Sequence, residues 1–176
     1  MQFFIAIVPP EDIQKKIENI QRRFGDNTIE PHITVKTQGG LTEDMKWIEP
    51  VKSIAKKTIP FEIRLGSVMT FGNEVLYISV NSPGITSLHK DIMDSLDLPA
   101  EIVSEYYERE LYTPHLTLGM IQTGFSSKDF PKMKELTENM LSETDVSFEA
   151  KFIRVYSMEP GEFGNYLSLE DIPFCG

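Results

Sequence analysis

Two of the three histidines in this 176-residue chain lie in the same short pattern of residues. The pattern reads Pro-His-Ile-Thr-Val at residues 31–35 and Pro-His-Leu-Thr-Leu at residues 114–118. Residues two apart on a strand project from one face, so each histidine shares a face with its threonine while the apolar residues point into packing. Each motif therefore predicts one imidazole and one hydroxyl side by side.

Two imidazoles aimed at one bound group suit the chemistry of a phosphate. Near neutral pH one histidine can deprotonate an attacking water while the other protonates the departing oxygen. Thr34 and Thr117 would donate hydrogen bonds to the non-bridging oxygens as charge develops there. The pattern predicts His32, His115 and these two threonines as a catalytic set. The alternative is a pair of half-buried strand histidines that bond only to the backbone.

A metal centre is not expected in this chain. A zinc site needs three or four convergent ligands, and no cluster of Cys or His supplies the rest. Cys175, the only cysteine, is expected to be an inert terminal thiol. The third histidine, His89, has no threonine two residues on and is expected at the surface or its boundary.

Two further residues are candidates for substrate binding. Lys36 lies two residues beyond Thr34 and is the candidate cation for a phosphate, with a solvated lysine at the strand end as the alternative. Tyr112, together with Tyr106 and Tyr107, could stack on a base. A core or loop role is the alternative for each tyrosine.

The two motifs lie at matching positions of an internal duplication, which predicts how they meet. In each half an apolar strand leads through proline into a helix, the motif strand, a second helical stretch and a further strand. The first strands cover residues 3–8 and 75–80. Pro50 predicts a kink or a late start in one helix, and a final strand is expected around 166–169. This repeated order of strands and helices predicts one domain over residues 1–176 with two pseudo-symmetric lobes, at about 1–72 and 73–176.

The copies differ most at residues 97–113, which replace a short connection at 25–30. This insertion is acidic, aromatic and long for a loop. Long connections in compact domains are often lids or binding loops. The alternative is an extra helical turn at the surface with no role in binding.

Composition and charge exclude several classes of protein. With 40% hydrophobic and 25% charged residues the chain is typical of a soluble globular protein. The net charge of −10 disfavours duplex nucleic acid. Residues 1–72 hold 10 Lys and Arg against 9 Asp and Glu, whereas residues 73–176 hold 7 against 18. The apolar run Phe3–Val8 is too short for a membrane span, and the single cysteine favours the cytoplasm.

The paired His-x-Thr motifs in a duplicated chain of this size resemble the two-histidine phosphoesterase superfamily, which includes bacterial 2′-5′ RNA ligase and cyclic phosphodiesterase proteins. The resemblance implies an α+β, bilobal fold with two antiparallel sheets around a central cleft and helices outside. It implies hydrolysis of 2′,3′-cyclic phosphates or related cyclic phosphodiesters without metal or other cofactor. It further implies that His32 is the proton donor, that His115 is the proton acceptor, and that Thr34 and Thr117 bind phosphate.

The acidic second half departs from the basic clefts of relatives that act on RNA ends. A small cyclic nucleotide or a short RNA end is therefore the expected substrate, and a monomer the expected state. Two alternatives remain open: 2′-5′ ligation of RNA ends at the same site, and a binder of nucleotides or phosphates without turnover.

Overall fold

The alternation of strands and helices predicted by the duplication is present in the computed structural model, which describes residues 1–25, 27, 29–142, 146–161 and 165–175. Short 3-10 helices at Arg109–Leu111 and Ile121–Thr123 flank the second motif strand. The elements in chain order are β1 Gln2–Ile7, α1 Glu11–Gln21, β2 Ile33–Lys36, α2 Ile48–Ala55, β3 Phe61–Phe71, β4 Val75–Asn81, α3 Pro83–Leu96, α4 Ala100–Glu105, β5 His115–Met120, α5 Phe130–Ser142, β6 Ser147–Ala150, β7 Phe152–Met158 and β8 Leu167–Pro173.

Within the described ranges the strands form one eight-stranded sheet in the order β6-β3-β4-β5-β2-β1-β7-β8. All the neighbouring strands are antiparallel. The α+β class is confirmed, but the prediction of two separate sheets is not. The physical reason is that the motif strands β2 and β5 pair directly, with Ile33 opposite Leu116, and so join the two halves into one sheet.

The two repeats exchange strands within this sheet. The third strand of the first repeat, β3, pairs with β4 and β6, whereas β7 from the second repeat pairs with β1. Only Lys151 separates β6 at one edge from β7 near the other. The sheet must therefore curl on itself, which keeps the motif strands at its centre.

Helices cover the face of the central strands that carries the apolar motif residues. Helix α3 packs against β2 of the other repeat, and α1 packs against β5. The motif residues on this face are fully buried: Ile33, Val35, Leu116 and Leu118. The opposite face of the same strands carries the histidines and threonines, which are only partly buried.

Two expectations about the helices are decided by the structure. Pro50 lies in the first turn of α2, where a missing N–H costs no helical bond, so it marks a late helix start. The expectation that His89 lies at the surface or its boundary is wrong, since it is 2% exposed and belongs to the buried residues of α3. None of the helices in the described ranges is long and apolar enough to cross a membrane.

Candidate active site

The central pair of strands places the two motifs across from each other. In an antiparallel ladder with Ile33 opposite Leu116, the next residues outward are His32 opposite Thr117 and Thr34 opposite His115. Side chains directly opposite have Cβ atoms about 5 Å apart, and diagonal neighbours about 7 Å apart. This register places the four residues at the corners of a rectangle on one face, with the histidines at diagonal corners.

Each imidazole is oriented by an equivalent contact, with the backbone carbonyl two residues before it. Nδ1 of His32 lies 2.8 Å from the carbonyl oxygen of Glu30, and Nδ1 of His115 lies 2.7 Å from that of Thr113. A carbonyl oxygen can only accept, so we assign the hydrogen to Nδ1 in both rings. Nε2 of each ring is then the atom that can accept a proton when neutral and donate one when charged.

Aromatic side chains pack against both imidazoles. The His32 ring lies 5.1 Å from the Phe4 ring. The His115 ring lies 5.1 Å from Phe71 and 5.2 Å from Tyr77, in edge-on arrangements. These contacts, with the backbone bonds, fix the direction in which each Nε2 atom is presented.

Burial lowers the pKa of both motif histidines. For His32, loss of hydration lowers the pKa most, the carbonyl and carboxylate of Glu30 raise it, and the charge of His115 lowers it further. For His115, loss of hydration again lowers the pKa and the Thr113 carbonyl raises it. Protonation of one imidazole thus disfavours protonation of the other, which favours a state with one acid and one base.

The free energy of unfolding should fall on mild acidification. The pKa values of His32, His89 and His115 are all below the ordinary value of 6.5 in the folded chain, chiefly because burial disfavours the charged ring. The unfolded chain then binds protons near pH 6.5 that the folded chain binds only at lower pH. Stability present above pH 6.5 is therefore lost as the pH falls through the folded values, by at most about 1.4 kcal/mol per pH unit for each histidine.

Urea unfolding between pH 7.5 and 5 measures this loss. A His89→Gln variant serves as the matched control, since it removes one of the three protons and should show a shallower dependence on pH. A free energy of unfolding that stays constant or rises between pH 6.5 and 5 would contradict the lowered pKa of the three imidazoles.

A cavity of about 690 Å³ opens beside the first motif. His32 and Thr34 line it, whereas His115 and Thr117 are not among its lining residues. The second half of the chain contributes six of the described lining residues: Tyr106, Met120, Gln122, Thr123, Met158 and Tyr166. Among the described lining residues none is Lys, Arg, Asp or Glu. The charge of a bound phosphate would therefore be matched by imidazolium and by neutral donors.

The structure does not bring Lys36 to this cavity. Its side chain is fully buried, and Nζ lies 2.8 Å from a carboxylate oxygen of Glu108 and 2.7 Å from the carbonyl oxygen of Gly39. Burial lowers the pKa of Lys36, and the Glu108 carboxylate raises it again. Lys36 therefore belongs to an internal ion pair. Sequence reasoning missed Glu108, for which the acidic character of the insertion was the only signal.

Tyr112 also lies outside the cavity lining. Its hydroxyl donates to the carbonyl oxygen of Thr34 at 2.8 Å, and its ring stacks on His89 at 3.9 Å. His89 in turn bonds the carbonyl oxygen of Val35 at 2.7 Å. On the other motif strand Gln21 Nε2 donates to the carbonyl oxygen of Leu118 at 3.0 Å. Tyr112, His89 and Gln21 thus position the motif strands through backbone carbonyls.

The described residues contain no group of three or more His, Cys, Asp or Glu side chains that could hold a metal ion. Two imidazoles and two hydroxyls, those of the two motifs, lie on the same face of the paired strands β2 and β5.

Comparison with known proteins gives a consistent set of relatives. Residues 9–124 match the family model described as the 2′-5′ RNA ligase superfamily. A protein of Methanocaldococcus jannaschii named RNA 2′,3′-cyclic phosphodiesterase is 30% identical over 166 residues, which cover 89% of this chain and 90% of the relative.

Two solved structures share the fold at low identity. A protein of Thermus thermophilus is 18% identical with a TM-score of 0.74, covering 100% of this chain and 99% of its own. LigT of Escherichia coli is 15% identical with a TM-score of 0.62, covering 99% of this chain and 98% of its own.

Proposed function

The chain belongs to the 2′-5′ RNA ligase superfamily, and from that premise we propose that it is a metal-independent phosphoesterase that hydrolyses 2′,3′-cyclic phosphates or related cyclic phosphodiesters. One observation carries the proposal. His32 directly precedes β2 and His115 begins β5, the paired central strands, and each imidazole bonds a backbone carbonyl through Nδ1, which leaves Nε2 for a substrate. The relative from Methanocaldococcus jannaschii, named for this activity, supports it.

The proposed reaction is an in-line displacement at phosphorus. Neutral His115 accepts a proton from water at Nε2 while the water oxygen bonds to phosphorus. The bond from phosphorus to one ribose oxygen breaks, and protonated His32 donates its Nε2 proton to that oxygen. The products are a phosphomonoester and a free hydroxyl. This order of roles follows the family resemblance.

The lowered pKa of His32 is compatible with its role as the donor. Burial disfavours the imidazolium in the free protein, but a bound phosphodiester is an anion next to the ring. An adjacent opposite charge favours the charged form and raises the pKa. Substrate binding therefore supplies the condition under which the acid is protonated.

Removing either threonine hydroxyl should slow turnover more than it weakens binding. Thr34 and Thr117 are proposed to donate to non-bridging oxygens as charge builds there, so their bonds strengthen in the transition state. Thr34→Val and Thr117→Val should each lower kcat by about 10²-fold, with a smaller change in KM. Steady-state kinetics with a cyclic nucleotide measures both constants.

Thr123→Val, a threonine of the cavity wall outside the motifs, is the matched control and should change kcat less than threefold. Equal losses in all three variants would show that the motif hydroxyls have no special position at the phosphate.

The assay for the proposed function uses purified protein with EDTA and a panel of 2′,3′-cyclic nucleotides. Turnover of at least one nucleotide is expected. A rival candidate within the superfamily is 2′-5′ ligation, which joins a cyclic phosphate end to a 5′-hydroxyl at the same site. Saturable binding without hydrolysis of any cyclic nucleotide would instead favour a non-catalytic binder.

The charge and composition of the chain indicate its substrate class, its location and its oligomeric state. We expect a small cyclic nucleotide or a short RNA end, and neither duplex nucleic acid nor a membrane. A monomer in the cytoplasm is the expected working form. Chromatography of the purified protein measures the oligomeric state.

A further inference from the structure

The insertion at 97–113 is seated closely on the loop that follows the first motif strand. A Cβ atom added to Gly39 would lie 2.5 Å from a ring carbon of Tyr106, and one added to Gly40 would lie 2.4 Å from a methyl carbon of Leu98. Both distances are too short for ordinary contact, so these glycines give the insertion room to pack. The insertion therefore forms a wall next to the motif strand.

A buried ion pair holds this wall in place. Glu108 is 1% exposed, and its carboxylate bonds Lys36 Nζ at 2.8 Å and the backbone N–H of Thr37 at 3.1 Å. The hydroxyl of Thr37 donates to the same oxygen. The backbone N–H of Glu108 bonds the carbonyl oxygen of Val103 at 3.0 Å, and that of Tyr106 bonds the carbonyl oxygen of Ile102 at 3.2 Å, so the ion pair is joined to the end of the helix that carries Tyr106.

Tyr106 faces the cavity that contains His32. The other walls carry aromatic and amide side chains, namely Phe4, Tyr166, Gln2 and Gln38. The hydroxyl of Tyr166 accepts from Gln38 Nε2 and donates to Gln2 Oε1 at 3.3 Å. A flat group with a polar edge and no charge fits such a lining, and a nucleobase has those properties.

We propose that Tyr106 is a specificity-determining residue that stacks on the nucleobase of a cyclic nucleotide whose phosphate lies at the paired histidines. The inference rests on the proposed function for the position of the phosphate. It adds that the insertion selects substrates that carry a base. A cyclic phosphate without a base would reach the histidines, but its binding would not be strengthened by contact with Tyr106.

The kinetic test compares two substrates in matched variants. One is adenosine 2′,3′-cyclic phosphate and the other is methyl riboside 2′,3′-cyclic phosphate, which has the same reacting group without the base. Tyr106→Leu keeps apolar bulk over Gly39 but cannot stack, whereas Tyr106→Phe keeps the ring. We expect Tyr106→Leu to lower kcat/KM about tenfold for the nucleotide and less than twofold for the riboside. Tyr106→Phe should stay close to the parent protein.

Tyr107→Leu is the control, since Tyr107 is the next residue and is 72% exposed. It should leave both substrates unchanged. If Tyr106→Leu lowers kcat/KM equally for the two substrates, or for neither, the inference is overturned. Hydrolysis by the parent protein would still support the proposed function in that case.

A binding measurement separates the two proposals when neither substrate is hydrolysed. Calorimetry with adenosine 3′-phosphate and methyl riboside 3′-phosphate reports the contribution of the base without turnover. If the parent protein binds the nucleotide more tightly and Tyr106→Leu abolishes the difference, stacking on Tyr106 is supported even though the proposed hydrolysis has failed. Equal affinity of the parent protein for the two phosphates would overturn the inference about Tyr106.

Discussion

Replacing His32 or His115 by glutamine should lower the rate of cyclic phosphate hydrolysis by about 10²–10⁴-fold, the range expected for loss of a positioned acid or base. Glutamine can still bond the backbone carbonyl that orients each ring, but it transfers no proton at neutral pH. Single-turnover rates with excess enzyme measure the chemical step directly. Because the two histidines act in one displacement, the double variant should lose much less than the product of the single losses.

The third histidine provides the control for this experiment. His89 is buried, accepts the backbone N–H of Arg109 at Nε2 and bonds the carbonyl of Val35 through Nδ1. His89→Gln should lower the thermal transition yet keep the rate within about threefold of the parent while folded. A motif variant with the parent rate, or a His89 variant with a motif-sized loss, would contradict the division between catalytic and positioning histidines.

Glu108→Gln should be among the most destabilising single changes in this chain. The side chains of Lys36 and Glu108 are 0% and 1% exposed and lie 2.8 Å apart. Removing the carboxylate charge leaves a buried ammonium without its counter-charge, and breaking a buried pair in this way costs about 3–5 kcal/mol. Urea unfolding measures the loss in free energy.

Two further variants test the cause of that loss. The double variant Lys36→Met with Glu108→Gln removes the unpaired charge and should recover much of the stability. Glu11→Gln breaks an exposed pair with Lys15 and should barely move the transition. A Glu108→Gln loss no larger than that of Glu11→Gln, or a double variant less stable than the single one, would show that the pair is not what holds the insertion.

The duplicated motifs could be predicted from the sequence because their signal is local. A period of two along a strand settles which residues share a face, and the structure places His32 and Thr34 in the partly buried positions around fully buried Ile33. Their catalytic roles stay a prediction. The strand period also places Lys36 with Thr34, which is the reason to expect it at a phosphate.

The burial of Lys36 could not be predicted because it depends on a residue distant in sequence. Glu108, 72 positions along the chain, covers the ammonium group and converts an expected surface cation into a buried partner. The single sheet was missed for a related reason. Whether the halves form one sheet or two depends on the pairing of Ile33 with Leu116, a contact between strands far apart in sequence.

His89 shows why the burial of a polar side chain cannot be predicted from the apolar spacing of a helix alone. The apolar spacing in α3 marks Leu88 and Ile92 as inward-facing, and a polar side chain beside them is expected at the boundary. In the structure the carbonyl of Val35 and the N–H of Arg109 satisfy both ring nitrogens. A buried polar group is stable when its bonds are made, and those partners lie on other elements that the helix pattern does not reveal.

The most direct test of paired-histidine catalysis is a crystal structure of this chain with adenosine 3′-phosphate bound. We predict Nε2 of His32 and Nε2 of His115 within about 3 Å of oxygens on the same phosphorus, from opposite sides, with the hydroxyls of Thr34 and Thr117 on its other oxygens. A phosphate that contacts one histidine while the other points elsewhere would contradict this mechanism.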